Sequence, residues 1–212
     1  ERAAHPRCDG KANARNDRRP EAEGGKAQEE EGQGLPREEE ALQALETQLA
    51  ELKELRFVYP AVTFQTRLSL FLGGQEVEVV HPGRAHTDGD ALVHFPGLKV
   101  LHAGDMLFAG SYPYIGAEAG ADTANWIAAI GKAASWDVET VIPGHGRLSD
   151  RQGLLKMAAY LSELRQAVKG AITAGKSLEE AKKMVPLPAW KGFAREQLLP
   201  ANIEAVYNEL KK

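Results

Sequence analysis

The sequence predicts an α+β fold, a β-layer packed against helices. Three observations carry that expectation. Leu68, Leu70 and Leu72 alternate with Ser69 and Phe71, and Glu76 to Val79 alternate polar and apolar, the two-residue period of a half-buried strand. Successive strand-like runs are joined by short turns, Gly73-Gly74 and Pro96-Gly97. Such turns suit antiparallel hairpins and disfavour a Rossmann-type sheet, whose parallel strands need long crossovers. The second half of the chain takes up the apolar spacing of helices.

Taken in order, residues 1–35 are rich in Arg, Glu, Gly, Asn and Gln. "EAEGGKAQEEEGQG" reads as a solvated, flexible segment. A helix follows over about 36–55. Pro36 suits its first turn, Glu38 to Glu40 favour its positive end, and Leu42, Leu45, Leu49, Leu52 and Leu55 recur at helical spacing. From Val58 the period drops to two, and strands are expected over Leu68–Leu72, Glu76–Val80, Ala91–Phe95 and Lys99–His102. Asp122 or Thr123 caps a helix carrying Trp126, Ile127 and Ile130, with Trp126 in the core. A short strand, Thr140–Ile142, runs into Pro143-Gly144-His145-Gly146. Ser149 or Asp150 opens a long helix that Gly175 ends, and Ser177 with Glu180 forms a capping box for the next. A last amphipathic helix runs from about Asn202 to Leu210.

The bulk composition narrows the function. The 212 residues are 43% hydrophobic and 26% charged, ordinary for a globular domain. A net charge of −4 argues against a nucleic-acid partner, which calls for a basic patch. No apolar run approaches the roughly 18 residues of a membrane-spanning helix. The single cysteine, Cys8, excludes an internal disulfide framework and cannot alone build a cysteine zinc site. The compartment stays open, cytoplasmic or exported.

Three loops, each at a strand end, hold the chemistry: "AHTDGD" (85–90), "HAGDMLF" (102–108) and "IPGHGRLSD" (142–150). A histidine, an aspartate and a histidine on three such loops make a partial ligand set for Zn²⁺ or a similar ion. Each alone has an ordinary reading, a packed histidine or a turn aspartate. Gly89, Gly104, Gly144 and Gly146 offer positive φ or close approach of the backbone.

"GRAHTDGDALVHFPGLKVLHAGDMLF" and "VIPGHG" resemble the third, fourth and fifth metal motifs of the metallo-β-lactamase-fold hydrolases, in order. The resemblance runs from about Pro60 to Asp150, and more loosely through the C-terminal helices. It implies an αββα metallo-β-lactamase-like sandwich with two zinc ions per complete domain, other divalent metals being possible. His86 would bind the first metal, Asp105 would bridge the pair, and His145 would bind the second. The family's first motif, His-x-His-x-Asp-His, has no counterpart here. His5 resembles a non-ligand histidine that follows it, and the first methionine is Met106. The sandwich is therefore expected to be incomplete, its N-terminal part missing, with residues 36–212 forming the C-terminal part of a single domain.

The implied function is a metal-dependent hydrolase acting on a small-molecule ester, thioester, lactam or phosphoester, weakly active or inactive as this chain alone. The alternatives are a non-catalytic binding domain of the same fold and a half-domain complemented by another chain. An uncovered sheet face would then favour self-association. Around the implied ligands, His81 either orients a ligand or ends its strand. Asp90 either braces the His86 loop or simply turns it. Tyr112 and Tyr114 touch substrate or pack on the sandwich. His94 and His102 read as structural.

Overall fold

The structure, a computed structural model, describes residues 34–212. The polar N-terminal stretch, with His5 and Cys8, lies outside the described residues. The chain divides into two units, one running to Pro60 and one from Ala61 to Lys212.

In the first unit, helix α1 spans Gly34–Glu54. Leu42, Leu45, Leu49 and Leu52 take the helical spacing the sequence predicts, while Leu55 falls just past the helix end; all five are exposed. The period-two pattern starting at Val58 does not make a strand there, since Phe57, Val58 and Tyr59 are almost wholly exposed. Strand structure begins only at Arg67, where a ladder partner becomes available in Val80.

The second unit holds one five-stranded sheet in the order β1-β2-β3-β4-β5. The strands are β1 Arg67–Leu72, β2 Gln75–Val80, β3 Leu92–Phe95, β4 Val100–Phe108 and β5 Thr140–His145. The first four pair antiparallel, as the sequence predicts; short turns join β1 to β2 and β3 to β4, while residues 81–91 form a longer loop between β2 and β3. β5 joins β4 in parallel after a crossover through a helix, the connection such pairing requires. β4 runs six residues past the expected end at His102, because its second half is buried and continues beside β5.

Helix α2, Thr123–Ala133, is capped by Asp122, whose side chain accepts from the Asn125 amide at 2.9 Å. Helix α3, Arg151–Thr173, is capped by Asp150, which accepts from the Gly153 amide at 3.1 Å. Helix α4, Leu178–Met184, opens on the Ser177–Glu180 capping box. Helix α5 spans Leu199–Leu210, starting three residues before Asn202 because Pro200 sits in its first turn.

The register sorts the strand residues into two faces. Glu78 opposes His94, and His94 opposes Leu101, which opposes Val141. That face is buried under α2 and α3: Leu101, Ala103, Val141, Trp126, Leu154 and Leu161 are all 0% exposed. The other face carries Leu68, Leu70, Leu72, Val77, Val79, Val93, His102 and Ile142.

Candidate metal centre

The loop between β2 and β3 is fixed before any ligand is considered. The Thr87 amide donates to Asp90 Oδ2 at 2.9 Å and the Thr87 hydroxyl to Asp90 Oδ1 at 3.1 Å. His81 Nδ1 lies 2.7 Å from the Asp90 carbonyl, so it carries the proton and ties the end of β2 to the far end of the loop. From α2, Asn125 donates to the carbonyls of Pro82 and Arg84, and the Asp122 amide donates to the Ala85 carbonyl. His86 is thereby held on a loop whose neighbour Ala85 is 0% exposed.

Asp105 sits in β4 at a break in its register with β5. His145 ends β5. The two strands approach so closely that Gly144 must lack a side chain, because a Cβ there would collide with the Asp105 carboxylate. Gly146 is equally constrained, with φ +98 and the Ala109 carbonyl where a Cβ would go. Gly89, by contrast, has open space around it and no positive φ. Its loop is shaped by Asp90 and Thr87 instead.

The structure brings His86, Asp105 and His145 together. His86 Nε2 is 4.0 Å from Asp105 Oδ2, and His145 Nε2 is 3.4 Å from Asp105 Oδ1. Each carboxylate oxygen thus faces a different imidazole. Accessibility grades across the group, with side-chain exposures of 13% for His86, 37% for Asp105 and 49% for His145. Behind His86, Nδ1 lies 4.0 Å from Asp90 Oδ1, close enough for electrostatic orientation and too long for a hydrogen bond. Two imidazoles and a carboxylate are the donor chemistry zinc prefers. Among the described residues, however, no three such side chains close into a group that could hold an ion by themselves.

The remaining predicted residues stand further off. Tyr112 is buried, and its hydroxyl donates to the Trp190 carbonyl at 3.2 Å; burial pushes its phenol pKa up. Tyr114 is exposed and donates to Glu118 Oε1 at 2.7 Å, a bond that raises its own pKa. Glu118 is held below the usual carboxylate range, first by the hydrogen bond from its own backbone amide and then by the Tyr114 hydroxyl. His94 bonds Glu78 at 3.0 Å and lies over Trp136, so it packs on the helical face as expected.

Sequence reasoning missed two residues and half-read a third. The Phe108 ring stacks on His145 at 4.6 Å and 18°, and lies 5.7 Å from the His86 ring. It ends the very motif that contains Asp105, and its apolar character hid it in the strand. Trp126 is core, and it also meets His86 edge-on at 5.5 Å while its Nε1 donates to the Met106 carbonyl. Arg195 places its guanidinium 5.8 Å from the Phe108 centroid on a backbone with φ 62, and no local pattern announces it.

This geometry agrees with the comparisons. A family model described as the metallo-beta-lactamase superfamily matches residues 15–145, more than half of the chain. Metallo-beta-lactamase type 2 of Bacillus cereus is 31% identical over 114 residues, covering 53% of this chain and 43% of that protein. Among solved structures, the sec-alkylsulfatase Pisa1 of a Pseudomonas species aligns with a TM-score of 0.56 at 19% identity, covering 72% of this chain and 27% of that one. A metallo-beta-lactamase family protein of Thermus thermophilus aligns with a TM-score of 0.55 at 19% identity, covering 72% and 50%. At that identity the two structures speak for the fold alone. The chain spans less than half the length of the curated relatives it matches. A sheet with helices on one face and a family model that matches more than half of the chain lead to one conclusion: the chain belongs to the metallo-beta-lactamase superfamily.

Proposed function

We propose that this chain carries part of the dinuclear metal centre of a hydrolase whose small-molecule substrate is an ester, thioester, lactam or phosphoester. The observation that carries the reading is the division of the Asp105 carboxylate. One oxygen faces His86 and the other faces His145, which suits a carboxylate shared by two ions. The chemistry of the donors fits zinc, with His86 toward one ion and His145 toward the other.

Such ions supply Lewis acidity and a nucleophilic water at neutral pH. The chain's own residues prepare the place. Asp105 sets the spacing of the two imidazoles, and the Gly144 backbone leaves room for its carboxylate. Phe108 holds the His145 ring by stacking, and Asp90 biases the His86 ring through the charge near Nδ1. His145 is the most exposed of the three. Three donors are fewer than two four-coordinate ions require, so water or further side chains would complete their coordination. A curated relative is a metallo-beta-lactamase, but the fold does not choose among substrates.

Hydrolysis of phenyl acetate and of a chromogenic lactam, measured with and without added zinc, tests the reading. Slow zinc-dependent turnover of one of them, abolished in Asp105→Asn, is the expected result. Turnover that persists in Asp105→Asn would contradict it.

A further inference from the structure

A cavity of about 280 Å³ lies beside the end of β4, and none of the three candidate ligands lines it. Two of its lining residues touch His145. Phe108, one of its walls, is the ring on which His145 stacks at 4.6 Å. The next residue, Ala109, also lines it and donates its amide to the His145 carbonyl at 2.8 Å. The far wall is built by the segment after α4, which is pinned to the chain leaving β4. The Tyr112 amide donates to the Ala194 carbonyl at 2.9 Å, and the Ala194 amide donates to the Gly110 carbonyl at 3.1 Å.

The lining is aromatic and mutually braced. Tyr112 meets Tyr160 edge-on at 5.4 Å, Tyr160 meets Trp190 at 5.5 Å, and Trp190 meets Phe193 at 5.4 Å. Their polar atoms are already engaged elsewhere. The Tyr112 hydroxyl is on the Trp190 carbonyl, Trp190 Nε1 is on Glu163, and the Tyr160 hydroxyl accepts from Asn202. These residues bring ring faces and edges to the lining, and Met157 adds an apolar side chain. Polar residues line the cavity as well: Ser111 and Ser149, and the exposed Asp150, Gln152 and Lys156.

Size narrows the occupant. A cavity of roughly 150 Å³ holds benzene, and pockets for drug-sized ligands start at about 300 Å³. This one accommodates a single ring with a short arm. We propose that the cavity binds a single-ring aromatic group against the rings of Tyr112, Trp190 and Phe193. This preference stands on the cavity itself, whatever reaction the neighbouring site performs.

Phenylacetate and cyclohexylacetate, matched in charge and length, are the probes. Titrated into the chain and followed by backbone and aromatic-ring NMR, phenylacetate should bind at least about tenfold more tightly than its saturated counterpart. It should shift Trp190 and Phe193. Gln152→Trp, which crowds the cavity from an exposed position, should weaken it by a similar factor, and Phe193→Ala should erase much of the preference for the ring. Asp105→Asn should leave phenylacetate binding unchanged while removing hydrolysis of phenyl acetate. Aromatic binding with no hydrolysis in the unsubstituted chain would support the pocket and count against turnover by this chain. Equal affinity for the two probes, or shifts confined to residues outside the cavity, would overturn the pocket whatever the hydrolysis shows.

Discussion

The two faces of the sheet differ in what covers them and in what they support. On the helical face, Leu101, Ala103 and Val141 are 0% exposed beneath α2 and α3. On the opposite face the apolar stripe is unevenly covered, from Val77 at 7% to Leu70 at 38% and Leu72 at 60%. The candidate site draws its rigidity from the first face. His86 leans on Trp126 of α2, its loop is tied to Asn125 and Asp122, and His145 lies on Phe108, which is 3% exposed. A packed helical layer can thus preset ligand geometry even where the other face of the same sheet is open within this unit.

Substitutions can break that contrast, and the largest effect falls on the helical face. Trp126→Ala removes a 0% exposed indole and its hydrogen bond to Met106, and should cost about 3–5 kcal/mol of stability. It should also free the His86 ring, seen as line broadening in histidine NMR. Unchanged His86 resonances in a folded variant would detach the site from this face.

Next come two substitutions on the open face that sharpen the comparison internally. Val77→Asp puts a charge at a 7% exposed position and should cost about 2–4 kcal/mol in denaturant unfolding. Leu72→Asp, at 60% exposure, should stay within about 0.5 kcal/mol. Equal costs would mean that the graded exposure of the stripe has no energetic meaning.

Much of this arrangement was legible in the sequence. The hairpins followed from the period of two and from Gly73-Gly74, and the caps from Asp122, Asp150 and Ser177, because those signals are local. His86, Asp105 and His145 stood out because titratable groups beside glycines at strand ends are conspicuous. The length of β4 was hidden, since "HAGDMLF" becomes a strand only beside β5, a partner far along the chain. Phe108 and Arg195 were hidden for the same reason: their meaning lies in what folding places next to them.

The smallest effect concerns the far helices. Glu180 has its pKa lowered from 4.5 to about 2, first by the Ser177 backbone amide and then by the Ser177 hydroxyl and Lys176. A depressed carboxylate contributes its stability above the unfolded-state value and loses it as pH falls through the folded one. The difference in melting temperature between the unsubstituted chain and Glu180→Gln should therefore be constant above about pH 5 and fade between about 4.5 and 2. A difference that grows on acidification would contradict the sign. Histidine resonances at the site should not follow it.

The central claim is that Asp105 couples two imidazoles into one metal centre. Zinc titration of the chain, followed at the Nε2 resonances of His86 and His145, tests it most directly. The account predicts that both respond together, with weak affinity because three donors are a partial set, and that Asp105→Asn abolishes the joint response. Independent responses that survive Asp105→Asn, or none at either histidine, would contradict it.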